Sequence, residues 1–151
     1  MGTFVCAECT IGFNGNDYGR VDMVSIDTKS IVRCYEVKSC VSDFRSKSKW
    51  TFVGHYNYFV MPSETYEIVK EEIPKHIGVY VDGTCIKKPK KQVVTNNTMS
   101  IIQMSMIRSL SRDADKLHKL DNPRVIEQYE TKITRLQNEN YRLRKDRWKQ
   151  I

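Results

Sequence analysis

No apolar run in this chain approaches the roughly 20 residues that a membrane-crossing helix needs. A basic-then-apolar leader is also missing from the N-terminus. A cytoplasmic protein with no membrane partner is therefore expected. Cysteine is present in an odd number, five, scattered over apparent strand positions, which points to reduced thiols rather than a disulfide framework. Cys6 and Cys9 have CxxC spacing, but no second pair follows, and His55 and His76 stand alone, so the spacing assembles no closed four-ligand zinc site. Nothing resembles a sequence-reading DNA element or half-site logic. What is there is 151 residues with 40% hydrophobic content, enough for a real core, and 28% charged residues, enough for a water-facing surface. The formal charge of +7 favours a polyanionic partner, although many basic proteins never touch nucleic acid.

The rest of the chain is organised around residues 20–38. Two arms rich in β-branched and aromatic residues flank the turn-forming Asp27-Thr28-Lys29-Ser30, which predicts two strands of a hairpin. Alternation puts Asp22 on a face with Val24 and Ile26, and Glu36 and Lys38 on a face with Val32 and Cys34. The other face carries Ile31, Tyr35 and Val37, so the second strand is expected to be central, with both faces covered. The turn brings Asp22 opposite Glu36, or offset by one. Two carboxylates and a lysine at the end of an apolar face would cost several kcal/mol or shift their pKa values if uncompensated. A hard divalent cation held by both carboxylates is one resolution. A strand end that reaches solvent, with Lys38 paired to a carboxylate, is the other.

Val21-Asp22, a turn, then Glu36-Val37-Lys38 resembles the PD-(D/E)xK nuclease signature, with Val in place of the first Pro. The continuation Ser39, Ser42-Asp43-Phe44-Arg45 and Lys49-Trp50 is similar to the MmcB-type branch, bacterial proteins associated with DNA repair and related phage-borne proteins. The resemblance covers roughly residues 3–82. It implies an α/β fold: a restriction-endonuclease-like mixed sheet of four or five strands with flanking helices, followed by an α-helical C-terminal extension. It also implies Mg²⁺- or Mn²⁺-dependent hydrolysis of DNA. Asp22, Glu36 and the Val37 carbonyl would hold the ion, with Glu8 as a further candidate ligand, and Lys38 would serve the chemistry. Arg45, Lys47, Lys49 and His55 would contact DNA. The family usually carries an acidic residue on a helix before the first strand. This chain as given starts at that strand, so a non-catalytic DNA-binding or assembly module that keeps the nuclease fold is the competing expectation.

Residues 3–11 read as the first strand and Gly12–Gly19 as a hairpin loop beside the site. Ser42 is a plausible cap for a helix from Asp43 to about Val53, which would set Arg45 and Lys49 on one basic face. Residues 54–61 read as a central strand stopped by Pro62, with His55 at its start. A helix from Ser63, a strand over 77–81, an Asp82-Gly83 turn and an edge strand over 84–86 complete a core of residues 1–86. The basic run from Lys87 reads as a linker over 87–97, and 98–151 as a helical extension. Its first helix carries Ile102, Met106 and Leu110 as a stripe, with Ile101 and Met104 nearby. The second starts at Asn122-Pro123 and sets Ile126, Tyr129, Ile133, Leu136, Asn140 and Leu143 at alternating spacings of three and four. That seam suits either a homodimer through residues 123–148 or a helix folded back on its own core. The tail, through Arg142 and Lys145, is basic enough for DNA contact.

Overall fold

One carboxylate fixes the turn on which the sheet is built. Asp27 Oδ1 accepts from the N–H groups of Lys29 (2.9 Å) and Ile31 (3.0 Å), and Oδ2 accepts from Arg33 Nη1 at 3.0 Å. The side chain thus mimics the backbone of a turn, and Ser30 completes it at φ 60°. The computed structural model describes residues 2–13, 16–46, 50–120 and 122–148. The elements are β1 (Thr3–Phe13), β2 (Asn16–Asp27), β3 (Val32–Val37), α1 (Val41–Phe44), β4 (Tyr56–Met61), α2 (Ser63–Val69) with a 3-10 turn (Lys70–Glu72), β5 (Gly78–Val81), β6 (Thr84–Lys87), α3 (Asn96–Leu120) and α4 (Pro123–Trp148).

The six strands form one mixed sheet in sequential order. β1, β2 and β3 pair antiparallel, β3, β4 and β5 pair parallel, and β6 returns antiparallel to β5. Parallel neighbours need long crossovers, and the two here carry α1 and α2. The β5–β6 hairpin turns through Asp82 and Gly83, both at positive φ, as its tight right-handed twist requires.

Two apolar clusters cover one face of the sheet. Phe44 of α1 and Val69 of α2 pack with Phe59, Met61, Ile77 and Val79. The other cluster joins Cys6, Val24, Val32 and Cys34 to Ile101, Ile102 and Met106 of α3. The opposite face is not covered as expected. Tyr35, Tyr58 and Tyr80 stand there in ring contact, Tyr35 and Tyr58 stacked at 5.1 Å, while Val37 stays half exposed. Tyrosine rings rather than a helix shield that side of β3.

Three expectations change. The helix expected from Asp43 to Val53 is a single turn, Val41–Phe44, without a side-chain cap. Trp50 and Phe52 both pack inward against Phe59, while Thr51 between them is buried and donates its N–H to Glu36. Consecutive residues held in that way are not helical. The loop expected at Gly12–Gly19 is largely strand, since pairing continues to Phe13 opposite Asn16. The basic stretch after β6 is no free linker: Lys90 N–H donates to the His76 carbonyl at 3.0 Å and Gln92 N–H to the His55 carbonyl at 2.8 Å.

The chain divides into two units, Met1–Leu110 and Ser111–Ile151, so the boundary falls inside α3 rather than at 87–97. Ser105 and Ser109 share the buried face of α3 with Ile101, Ile102 and Met106, whereas Met104 and Leu110 are exposed, so the expected stripe is rotated. Ser105 Oγ accepts the Gly12 N–H at 3.1 Å, and Arg108 donates to the carbonyls of Thr10 and Gly12. Ile102 is fully buried. Ile102→Ala is expected to destabilise the first unit by about 2–5 kcal/mol in denaturant unfolding, the cost of a truncated core side chain. A change below about 0.5 kcal/mol would mean that α3 is dispensable to the core.

Candidate active site

The hairpin register places Asp22. Met23 pairs with Tyr35, so Asp22 lies one step on, across from Glu36. Unbroken alternation from Val24 would set its carboxylate on the face of Glu36, but the alternation does not run on to Val21. Val21 and Val24 are both fully buried although three positions apart, so the alternation breaks between them. The break lies opposite Glu8, between the pairs Ala7–Met23 and Cys9–Val21, where Glu8 takes a left-handed φ of 50°. For a glutamate this is an uncommon conformation, and it marks a local bend in the edge hairpin. Asp22 Oδ2 then accepts the Val37 N–H at 2.7 Å, a contact to the end of β3.

Glu36 is 4% exposed, and its Oε1 accepts the Thr51 N–H at 2.9 Å. Burial pushes its carboxyl above the ordinary 4.5. The Thr51 N–H pulls it back, Asp22 raises it further, Lys38 lowers it and Asp43 raises it again. Three charged groups, Asp22, Lys38 and Asp43, therefore lie within electrostatic reach of one buried carboxylate. Lys38 is itself 5% exposed, with its N–H donated to the Val60 carbonyl at 2.9 Å, one residue beyond the β3–β4 ladder. Its Nζ lies 3.7 Å from Asp43 Oδ1, and Asp43 Oδ2 accepts the Ser39 N–H at 3.2 Å.

Two residues outside the expected site set, Thr51 and Asp43, complete the arrangement. Thr51 is 1% exposed, and its hydroxyl donates to the Arg20 carbonyl at 3.1 Å, which locks the N–H that holds Glu36. Gly19, at φ +108°, makes room, since a Cβ there would lie 2.8 Å from Thr51 Oγ1. Asp43 bridges Lys38 and the strand end through a turn of helix anchored by the buried Phe44. No sequence signal marks Thr51, because its role depends on a contact with a strand fifteen residues earlier.

The remaining candidates are placed elsewhere. Glu8 is exposed and paired with Arg20 Nε at 3.1 Å. Arg45 Nε donates to both oxygens of Glu72 at 3.2 Å, an exposed pair of small energetic weight. Lys47 and Lys49 lie outside the described residues. His55 accepts the Val32 N–H at Nδ1 (3.0 Å). It therefore sits at the start of β3, about 13 Å of strand from Glu36. Burial first, then Lys91, push its pKa down. Among the described residues no group of three His, Cys, Asp or Glu side chains is arranged to hold a metal, Cys6 and Cys9 included.

The fold has a solved counterpart. The structure of the SPO1766 protein of unknown function from Silicibacter pomeroyi matches with a TM-score of 0.61 and 18% identity, over 82% of this chain and 82% of that one. At that identity the likeness speaks for the fold alone. No family model and no curated protein matches the chain. Among the described residues no helix is long and apolar enough to cross a membrane.

Proposed function

We propose that this protein is a Mg²⁺- or Mn²⁺-dependent deoxyribonuclease of the PD-(D/E)xK kind, with a restriction-endonuclease-like core that hydrolyses phosphodiester bonds. The observation that carries the reading is the buried Glu36 carboxylate beside Asp22, with the buried Lys38 ammonium following it on the same strand end. A carboxyl pushed upward by burial and by a second carboxylate is a donor set that a divalent cation relieves. Mg²⁺ commonly takes only one or two protein carboxylates and completes its shell with water and phosphate oxygens, so two side chains and the Val37 carbonyl fit it. When bound, such an ion supplies a Lewis acid for the scissile phosphate and for an attacking water.

The chain's own residues do the rest. Asp22 keeps its orientation through the Val37 N–H, and Glu36 through the Thr51 N–H, so both carboxylates are fixed before any ligand arrives. Lys38 Nζ, held by Asp43, would help deprotonate or orient the attacking water and stabilise negative charge that develops on the phosphate. Contacts to the DNA backbone would come from exposed basic side chains, giving salt-sensitive affinity without sequence preference.

Plasmid and branched DNA incubated with the full chain, with and without Mg²⁺ or Mn²⁺, test the reading. Cleavage that requires the cation and is lost in Glu36→Gln is the expected result. Cation-dependent DNA binding with no cleavage of any substrate would replace the nuclease by the non-catalytic binding module. Cleavage unaffected by Glu36→Gln would remove the site from the reaction.

A further inference from the structure

Among the described residues of the second unit, the seam on α4 is open. Ile126 (42% exposed), Tyr129 (56%), Ile133 (53%), Leu136 (48%) and Leu143 (59%) all face water. Every described residue from 111 to 119 is exposed, and so is every described residue of α4 except Val125. Within the second unit, no described residue therefore shields this stripe. Asn122 caps the helix through Oδ1, which accepts the Arg124 N–H at 3.1 Å, so α4 has a defined start. A capped helix of 26 residues with an open apolar stripe gains most of its stability from whatever packs on that stripe.

We infer that the partner is a second copy of this chain, bound through α4 as a parallel two-stranded coiled coil. The identities along the seam carry the choice. Spacing assigns Ile126, Ile133 and Asn140 to a positions and Tyr129, Leu136 and Leu143 to d positions. β-branched residues at a with leucine at d favour two parallel strands, and one asparagine at a selects register and strand number. In parallel strands Asn140 meets its own copy, and each amide donates to the other. An antiparallel pair would set it against Tyr129 or Leu136 at d instead. The flanking positions raise no objection: Val125 at g meets Glu130 at e, and Lys132 meets Gln137, so none of these pairs opposes like charges. Area is sufficient as well. The five seam side chains leave on the order of 500 Å² open per chain, so a pair buries about 1,000 Å², the threshold of a specific interface.

Light scattering on the full chain at micromolar concentration tests the inference. A mass twice the 17.7 kDa of one chain is expected. Ile133→Lys with Leu136→Lys should halve that mass, while the thermal unfolding of the first unit is unchanged, because both side chains lie on the surface of α4. With Cys40 and Cys85 changed to serine, Ile126→Cys should form a disulfide-linked dimer on mild oxidation, since parallel strands put the two a positions side by side. A monomer at these concentrations overturns the proposal. So does a dimer that survives the double lysine change, or a dimer in which Ile126→Cys does not cross-link.

Discussion

Removing either carboxylate of the site should abolish Mn²⁺ binding, and the two removals should move stability in opposite directions. Glu36 is buried with its pKa raised, chiefly by burial and further by Asp22 and Asp43. Glu36→Gln removes that charge and keeps an oxygen for the Thr51 N–H, so the cation-free variant should melt a few degrees above the wild type at pH 7.5. Asp22→Ala strips the acceptor from the solvent-accessible Val37 N–H and should cost about 0.5–1.5 kcal/mol. The pH dependence follows from the same group. A carboxyl with a higher pKa folded than unfolded binds its proton more tightly in the native state. The cation-free wild type should therefore gain stability as pH falls from above that folded pKa toward 4.5, and Glu36→Gln should lose this limb. Saturating Mn²⁺, at about 100 times its Kd, should add about 2.7 kcal/mol to the wild type and nothing to either variant. Calorimetry and thermal unfolding across pH read all of these. Unchanged Mn²⁺ affinity in both variants would show that the cation sits elsewhere. A destabilised Glu36→Gln at pH 7.5 would show that the carboxylate is held by more than it repels.

Lys38→Ala should lower the cleavage rate by about 10²–10⁴, the span of a positioned acid–base group, while DNA affinity changes far less. The side chain is buried and meets Asp43, whose carboxylate is part exposed and can be solvated once the ammonium is gone. The fold should therefore survive. Asp43→Asn keeps an acceptor for the Ser39 N–H but removes the ion pair, so it should slow cleavage by a smaller factor than Lys38→Ala, again with little change in DNA affinity. Single-turnover kinetics beside a binding isotherm separate the two quantities. Equal losses of rate and affinity in Lys38→Ala would reduce Lys38 to a phosphate contact.

Much of this protein was legible from local chemistry. The Asp27 turn sets the β2–β3 register, and with it the approach of Asp22 to Glu36, because a side-chain-locked turn leaves the hairpin one way to close. Asn122-Pro123 likewise marks the start of α4 before any contact is known. The β-branched and aromatic runs of β2 to β5 foretell strands, while the mixed sheet they build was implied by the family resemblance. Tertiary structure decided what depends on residues far apart in the chain. The segment after Phe44 abandons its helical pattern because Thr51 is drawn to Glu36 and to the Arg20 carbonyl, while Trp50 and Phe52 enter the core. The strand alternation at Asp22 fails because Glu8, on the neighbouring strand, takes a left-handed turn that no composition signal announces. The buried face of α3 is set by the groove over Cys6, Val24 and Cys34, which rotates it away from the stripe its own periodicity suggests. The sequence by itself determined which side chains a strand end could offer; packing across the sheet decided which of them meet, because a carboxylate is aimed by the backbone groups that bond it.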